Sequence, residues 1–354
     1  LEGEGSQVLK DDSKMKSTLF EANKSFVFKD SLKNEICHAS TLALLPNGDL
    51  FCAWFQGSTE GAPDVKIYGT IRRDGLWESP VVLAGHNGVP CWNPVLYVRQ
   101  NGELVLYYKV GEEIALWQTM CKISQDNGSS WSETKELVPG DAGGRGPVRN
   151  KILKLKSGRL LAPASLENGA WRAFADISDD DGITWRKSEE VTISLPEDQK
   201  VNRNFTKIPV SEQSFKGRGV IQPTFWESGE AVHMLMRSTE GQIYHSISKN
   251  EGECWSEALP TGIPNNNSGI DTVKSFSGNV YLVCNPVGES WGKRTPICLL
   301  CSEGGGNNWE QVMLLDKGAG EFSYPAILCD GNTLYITYTW KRESIAFWKI
   351  KIRE

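Results

Sequence analysis

Hydrophobic and polar positions alternate along most of the chain in short segments, each only long enough for a β-strand. Apolar runs such as LFCAWF, YLVCNP and ICLLCS are bounded by segments rich in Gly, Asn, Ser and Pro. No long segment shows the three-to-four-residue spacing of apolar positions that marks an amphipathic helix. The pattern predicts an all-β chain of short strands joined by tight turns.

Glycine-containing turns separate many of these strands. The sequences are PNGD, QNGE, KSGR, ESGE, FSGN and CDGN, and each stands between two alternating segments. Glycine adopts the positive φ angles that tight hairpin turns require. Six turns of this kind predict six β-hairpin units of similar build.

An internal repeat accompanies these hairpins. The sequences SQDNGSSW, SDDDGITW, SKNEGECW and SEGGGNNW end at Trp131, Trp185, Trp255 and Trp309, and a weaker copy, RRDGLW, ends at Trp77. The successive spacings are 54, 54, 70 and 54 residues, which suits four short antiparallel strands per repeat. The repeat and the six glycine turns together predict a six-bladed β-propeller with Asp-box turns.

The polar residues of the repeat have a structural explanation. A Ser and an Asp side chain can bond to backbone N–H groups of a tight turn, Gly supplies the positive φ, and Trp packs between strands. We therefore expect Asp126 and Asp180 to stabilise turns and to take no part in catalysis.

The longest interval and the two chain ends complete the predicted domain. The polar segment 196–219 accounts for the extra length of the third interval and is predicted to be a long loop. The last strand, ESIAFWKIKI, is predicted to pair with residues around SFVFKD, which would remove a free sheet edge. We predict an N-terminal extension over residues 1–25 and a single propeller domain over residues 26–354.

Composition and charge narrow the classes of partner. The 354 residues are 39% hydrophobic and carry a formal net charge of −6, with Lys and Arg scattered singly. Without a basic stripe, nucleic-acid binding is not expected. No apolar run reaches the roughly 18 residues that span a bilayer, so no membrane span is predicted. The polar N-terminal sequence lacks the apolar region of a signal peptide.

The cysteines and the sequons point to different compartments. Nine cysteines, most of them in apolar strands, are typical of buried thiols in a cytoplasmic protein. Cys298 and Cys301 form a CxxC without a second pair or a His cluster, so no metal site and no cofactor are predicted. Secretion stays possible because four N-x-Ser/Thr sequons are present, at Asn23, Asn127, Asn204 and Asn266.

The repeats over residues 26–350 resemble those of the sialidase superfamily, in particular sialidase-like BNR-repeat proteins. The resemblance implies a Tyr nucleophile, a Glu that activates it, a carboxylic acid/base on an early loop and three Arg that bind the substrate carboxylate. Tyr suits the nucleophile because the anomeric carbon of a sialic acid already carries a carboxylate, which would repel an anionic nucleophile. Arg suits the carboxylate because its planar fork binds it bidentately.

Several of these positions have counterparts in the sequence. The segment EFSYPAILCDGNTLYITY places Tyr324 at the nucleophile position, MLMRS places Arg237 at the second Arg, and the segment before ICLLCS places Arg294 at the third. The early loop QGSTEGAPDVKIY offers Glu60, and next to it Asp64, as the acid/base.

Two positions depart from the family pattern. His38, in CHAS, stands where sialidases carry the first Arg, and Gln222, in IQPTF, stands where they carry the activating Glu. The predicted carboxylate site then has two Arg and a His, and Tyr324 lacks its usual base.

Further polar and aromatic residues lie at predicted strand ends, where propeller sites form. Sugar sites combine an aromatic face for the pyranose ring with directed hydrogen bonds to the hydroxyl groups. The candidates for substrate binding are Trp92, Asn93, Lys109, Arg149, Asn150, Lys151, Asp271 and Glu321.

Three functions are consistent with these residues. The first is an exo-glycosidase that acts on an acidic sugar, a sialic, ulosonic or uronic acid, at the end of a glycan. The second is a polysaccharide lyase on uronate glycans, with His38 and Tyr324 as its base and acid. The third is a non-catalytic carbohydrate-binding propeller, which the loss of one Arg and one Glu favours. All three predict an acidic glycan as the partner.

Overall fold

A computed structural model describes residues 19–29, 34–195 and 217–353. Within these residues the secondary structure consists of β-strands and one 3-10 turn, Ile114–Leu116, as the all-β prediction requires. None of the described segments is a helix long and apolar enough to cross a membrane. Most of the predicted loop 196–219 lies outside the described residues.

The strands are short and follow the hydrophobic segments of the sequence. The N-terminal strand is β1 (Leu19–Phe26). The next group comprises β2 (Ile36–Leu44), β3 (Leu50–Gly57), β4 (Lys66–Arg73), β5 (Leu76–Trp77) and β6 (Val81–Ala84). It is followed by β7 (Cys91–Val98), β8 (Leu104–Val110), β9 (Gln118–Ser124) and β10 (Lys135–Glu136).

The middle of the chain holds two further groups. The first comprises β11 (Leu153–Lys154), β12 (Leu160–Leu166), β13 (Ala170–Ser178) and β14 (Arg186–Lys187). The second comprises β15 (Arg218–Ser228), β16 (Ala231–Ser238), β17 (Gln242–Ser248) and β18 (Leu259–Pro264).

The C-terminal part contributes the remaining strands. They are β19 (Asp271–Lys274), β20 (Val280–Cys284), β21 (Ile297–Ser302), β22 (Glu310–Asp316), β23 (Phe322–Asp330), β24 (Thr333–Trp340) and β25 (Ser344–Ile352).

Consecutive strands pair antiparallel and form five hydrogen-bonded sheets in the described part of the chain. Four of the sheets contain β2 to β6, β7 to β10, β19 to β22, and β23 to β25 together with β1. The fifth joins β11 to β14 and β15 to β18 through a short parallel pairing of β13 with β15. The innermost strands are defined as the first strands that meet across the sheets: β2 contacts both β7 and β23, and β19 contacts both β15 and β23.

The two chain ends meet in the last sheet. Strand β1 pairs antiparallel with β25, and Phe26 lies opposite Ala346. The predicted pairing of the last strand with residues around SFVFKD is therefore confirmed. It covers the outer edge of β25, which would otherwise expose unpaired N–H and C=O groups.

The repeat turns are the four segments that end at Trp131, Trp185, Trp255 and Trp309, and the first three use one hydrogen-bond pattern. In the turn after β13, Ser178 Oγ donates to Asp180 and accepts from the Gly182 N–H, while the Thr184 N–H and hydroxyl donate to Asp180. Burial acts to raise the pKa of Asp180, but these donors lower it to about 2. Gly182 has φ +83°, which a side chain would strain. Trp185 packs edge-on against Tyr107 of the preceding sheet.

Buried polar side chains connect the innermost strands. Arg149 donates to the carbonyl oxygens of Ser40 (2.9 Å), Tyr324 (2.5 Å) and Pro325 (2.8 Å). Asn150 donates to those of Gln222 and Pro223 at 3.2 and 2.9 Å. These bonds satisfy backbone groups that the sheets leave unpaired.

Asp271 forms a second such connection. Its carboxylate accepts from Lys151 Nζ at 2.9 and 3.0 Å, from Thr224 Oγ1 at 2.9 Å and from the Ile327 N–H at 2.9 Å. These partners come from three separate segments, so a single carboxylate links several of the innermost strands.

Candidate functional site

Chemically active side chains gather at one end of the innermost strands. The register of β12 with β13 pairs Leu160 with Ser178 and Leu166 with Arg172. The repeat turn after Ser178 therefore lies at one end of this sheet, and the loop after Leu166 lies at the other. His38, near the start of β2, and Tyr324, near the start of β23, lie at the end away from the repeat turns, as does Arg237 near the end of β16.

The backbone at this end is irregular in a repeated way. Register shifts interrupt the first strand pairs at His38/Thr41, Trp92/Val95, Ile221/Thr224 and Ser323/Ala326. Left-handed φ angles occur at Ala39 (60°), Asn93 (39°), Gln222 (50°), Asn267 (57°) and Tyr324 (55°). Bulges re-aim side chains, and strained backbone of this kind clusters at functional sites.

Tyr324 lies at the centre of the cluster. Its hydroxyl oxygen accepts a hydrogen bond from Arg237 Nη1 at 2.9 Å. The guanidinium carbons of Arg149, Arg237 and Arg294 lie 5.2, 5.6 and 5.2 Å from the centre of its ring. Gly269 packs against the ring, where an added Cβ would lie 3.3 Å from it. The phenol therefore lies in a tightly packed, positively charged environment.

Arg237 is buried and bonds to neutral groups. It donates to Gln222 Oε1 at 3.1 Å, to Asn267 Oδ1 at 2.9 Å and also to the Asn267 carbonyl oxygen. Within the described ranges no carboxylate forms an ion pair with it. A buried charge without a counterion favours the binding of an anion beside it.

Two further guanidinium groups share one carboxylate. Glu321 accepts from Arg294 Nη1 at 2.8 Å and from Arg342 Nε at 2.8 Å. Burial acts to raise the pKa of Glu321, but Arg294 and then Arg342 hold it well below its usual range. Arg342 Nη1 also donates to Glu60 at 2.5 Å. Arg294 and Arg342 are thus partly neutralised by the protein's own carboxylates.

His38 lies against Tyr324 as a buried imidazole. The two ring centres are 4.1 Å apart, and Nδ1 lies 2.8 Å from Thr339 Oγ1. Nε2 is buried without a hydrogen-bond partner. Burial, and then the charge of Arg342, lower the pKa of His38 well below its usual value. The imidazole is therefore neutral near pH 7 and does not supply a third positive charge for a carboxylate.

The two carboxyl groups of the early loop differ in their partners. Glu60 belongs to the cluster through its ion pair with Arg342. Asp64 accepts from the Ser58 N–H at 3.1 Å and from the Ser58 hydroxyl at 2.9 Å, so its hydrogen bonds lie within the early loop. Glu60 is the better placed of the two for chemistry.

Other predicted substrate-binding residues are engaged in the fold. Trp92 packs on Trp117, with ring centres 5.0 Å apart, and donates to a backbone carbonyl oxygen. Lys109 donates to Thr119 and to the Arg145 carbonyl oxygen, and burial lowers its pKa to about 7. Lys151 and Asp271 bond to each other. None of these polar contacts involves Tyr324, so a role in substrate binding stays a prediction for all four, as it does for the buried Asn93.

Three residues at this end were not predicted from the sequence. Arg342 follows β24, the second strand of its group, and Arg237 lies at the end of β16, the second strand of another group. This shared position could have identified Arg342 from the sequence. Asn267 holds Arg237 from a loop without a distinctive motif. Glu167 follows β12 and interacts electrostatically with Arg237, but a lone carboxyl group in a turn gives no sequence signal.

Three solved structures share the fold. A protein of unknown function from Dyadobacter fermentans is 14% identical, with a TM-score of 0.72, and the alignment covers 93% of this chain and 98% of that one. The Hadza microbial sialidase Hz136 is 16% identical, with a TM-score of 0.69 and coverage of 89% and 66%. The sialidase of Trypanosoma rangeli, solved with the inhibitor DANA, is 14% identical, with a TM-score of 0.69 and coverage of 94% and 60%. The chain thus spans under two thirds of the length of these two sialidases.

The fold is all-β and sialidase-like. The family model of the BNR repeat-like domain matches residues 48–336. The chain belongs to this family. No curated protein matches the sequence.

Proposed function

We propose that the protein is an exo-glycosidase that removes an acidic sugar from the end of a glycan, with Tyr324 as the nucleophile. We also propose that its strand groups are the blades of one six-bladed propeller. The predicted domains are an extension over residues 1–25 and a propeller over residues 26–354, but residues 19–26 form β1 and pair with β25, so the proposed propeller begins at Leu19. In that ring the innermost strands surround a central axis, and their bulged ends form the sugar site.

One observation carries this proposal: the Tyr324 hydroxyl is bonded to Arg237, a buried guanidinium without a carboxylate partner. A sugar carboxylate beside Arg237 would neutralise that charge and bring the anomeric carbon close to the phenol oxygen. Arg294 is the second group for the carboxylate, because Glu321 is its single ion-pair partner among the described residues.

The reaction then follows the two-step course of a retaining glycosidase. The phenol oxygen of Tyr324 loses its proton to water and forms a bond to the anomeric carbon while the bond to the leaving oxygen breaks. Glu60 protonates that oxygen, for which it must first leave its ion pair with Arg342 and take up a proton from solvent. Water then cleaves the bond to Tyr324 and releases the sugar.

A lyase is the second candidate, and the arrangement of His38 favours it. A neutral imidazole with an unpartnered Nε2 lies against the Tyr324 ring. The site therefore holds, side by side, a group that can accept a proton and a group that can donate one. In this reaction His38 would remove the proton next to a uronate carboxylate, and Tyr324 would protonate the leaving oxygen. The product would contain a new double bond.

Ordinary sialosides are expected to be poor substrates of the wild-type protein. Gln222 carries no charge and cannot accept the Tyr324 proton, and neutral His38 does not bind a carboxylate as Arg does. We expect His38→Arg/Gln222→Glu to hydrolyse an aryl sialoside about a hundredfold faster than wild type, since a positioned base contributes about that much. Release of the aryl group, measured for wild type, both single variants and the double variant, checks this.

The rates are compared only between variants with the same fraction of folded protein. Circular dichroism and thermal unfolding establish that each variant is folded at the assay temperature. Efficient cleavage of the aryl sialoside by wild type would contradict the expectation, because His38 and Gln222 would then be harmless departures in an ordinary sialidase.

A further inference from the structure

Two of the bulges at the site share a local pattern, a residue with a left-handed backbone followed by proline. Gln222 (φ 50°) precedes Pro223 in β15, and Tyr324 (φ 55°) precedes Pro325 in β23. The strand pairing skips both dipeptides. Left-handed φ angles are unfavourable for residues with a side chain, and proline has no N–H to bond to a neighbouring strand. Contacts from outside these strands must therefore hold the two bulges in place.

Two adjacent residues, Arg149 and Asn150, make such contacts. Arg149 donates to the carbonyl oxygens of Tyr324 and of the proline that follows it, at 2.5 and 2.8 Å. Asn150 donates to the carbonyl oxygens of Gln222 and of its proline, at 3.2 and 2.9 Å. One short segment thus binds the same two backbone groups in both bulges.

The segment that carries Arg149 and Asn150 is itself fixed on both sides. The Val148 N–H donates to a carbonyl oxygen of β12 at 2.8 Å, and Lys151 Nζ donates to Asp271 at 2.9 Å. Arg149 and Asn150 are only 1% and 2% exposed. They therefore act on backbone groups and offer almost no surface to a bound sugar.

The side chains of the two bulges converge on Arg237. Its Nη1 donates to the Tyr324 hydroxyl oxygen at 2.9 Å and to Gln222 Oε1 at 3.1 Å. A shift of either bulge would move the phenol relative to Arg237, the group proposed to bind the sugar carboxylate. The guanidinium carbon of Arg149 also lies 5.2 Å from the centre of the Tyr324 ring. The residue that holds the backbone of Tyr324 therefore packs against its phenol as well.

We propose that Arg149 and Asn150 are positioning residues, which hold the two bulges so that Tyr324 meets the anomeric carbon while Arg237 binds the carboxylate. This inference rests on the proposed glycosidase function. Such alignment matters because a misplacement of about 1 Å can reduce a rate by about a hundredfold. The guanidinium of Arg149 suits the task because its planar fork presents several N–H donors in fixed directions, whereas a lysine ammonium is a point charge on a flexible stem.

Arg149→Lys tests position apart from charge, because it keeps the positive charge and removes the fork. The substrate is the nitrophenyl sialoside or the nitrophenyl glucuronide, whichever wild type cleaves faster. We expect kcat per folded molecule to fall by about a hundredfold and KM to change by at most about threefold, since Arg149 does not touch the sugar. Asn150→Ala should lower kcat by about tenfold, because Asn150 acts on Tyr324 only through Gln222 and Arg237.

Arg99→Lys is the matched control. Arg99 also donates to a backbone carbonyl oxygen, that of Gly182 at 3.1 Å, but it lies at the end of the strands that carries the repeat turns. Its variant should keep the wild-type kcat per folded molecule. An Arg149→Lys protein that also kept the wild-type kcat would overturn the proposal, because the bonds of Arg149 would then be purely structural. A raised KM at unchanged kcat would overturn it too, in favour of substrate binding.

A spectroscopic measurement separates this proposal from the glycosidase function. The protein is labelled with 3-fluorotyrosine, and the fluorine resonance that is missing in Tyr324→Phe belongs to Tyr324. We expect this resonance to move or broaden in Arg149→Lys and in Asn150→Ala, because the ring loses its single fixed position, and to stay unchanged in Arg99→Lys. If Arg149→Lys does not fold, Asn150→Ala carries the same test.

The two possible results lead to different conclusions. An unchanged Tyr324 resonance in the folded variants would overturn the proposal. A moved resonance in a protein that cleaves no acidic glycoside would support the hold of Arg149 and Asn150 on Tyr324 and reject the glycosidase function.

Discussion

Tyr324→Phe is expected to lower kcat on the acidic glycoside by at least about a thousandfold, since loss of a covalent nucleophile removes the main reaction path. The phenylalanine ring preserves the packing against His38 and the three guanidinium groups. Only the oxygen that bonds to Arg237 is lost. Initial rates under saturating substrate measure the effect.

Tyr97→Phe is the matched control for this change. Tyr97 donates to Asp181 at 2.7 Å in a repeat turn, at the opposite end of the strands from the site. It should keep nearly the wild-type kcat once the fraction of folded protein is matched. Retention of more than about a tenth of the activity by Tyr324→Phe would be inconsistent with the role of Tyr324 as the nucleophile.

Asp271→Ala is expected to lower the free energy of unfolding by about 3–5 kcal/mol, the range for breaking a buried ion pair by removing one partner. The Asp271 side chain is 2% exposed. Its removal leaves the Ile327 N–H without its acceptor, and it takes one of their partners from Lys151 and Thr224, which keep their bonds to Thr272. Denaturant unfolding at neutral pH measures the difference.

Asp179→Ala provides the comparison for this prediction. The Asp179 side chain is 53% exposed and pairs with Arg159 and Arg186, so its removal should change stability by at most about 1 kcal/mol. An Asp271→Ala protein as stable as Asp179→Ala would contradict the linking role of Asp271. A loss of catalytic rate per folded molecule at unchanged stability would instead support the prediction that Asp271 binds substrate.

Much of the fold could be predicted because its signals are local. Alternating segments and glycine turns predict strands, and the repeated Trp positions predict strand groups of similar length. The pairing of β1 with β25 joins the chain ends, but the need to cover a sheet edge made it predictable. No local sequence pattern predicted the short parallel pairing of β13 with β15. This pairing depends on how two neighbouring strand groups pack against each other.

The site was less predictable because its contacts are distant in sequence. The family resemblance located Tyr324, Arg237 and Arg294. The ion pair of Arg342 with Glu60 joins residues 282 positions apart, and no local pattern reveals it. Lys109 and Lys151 shared the signals of substrate-binding residues; in the fold Lys109 bonds to a backbone carbonyl oxygen and Lys151 to Asp271, and substrate binding stays a prediction for both. Only the folded chain shows which charged groups are already paired.

The proposed activity of this site is the hydrolysis of an acidic glycoside with the help of Tyr324. The most direct test is incubation of wild type and Tyr324→Phe with a library of acidic glycans, followed by mass spectrometry and near-ultraviolet absorbance of the products. We expect wild type alone to release an acidic monosaccharide that has gained the elements of water. An unsaturated product that absorbs in the near ultraviolet, or binding without any product, would contradict the claim.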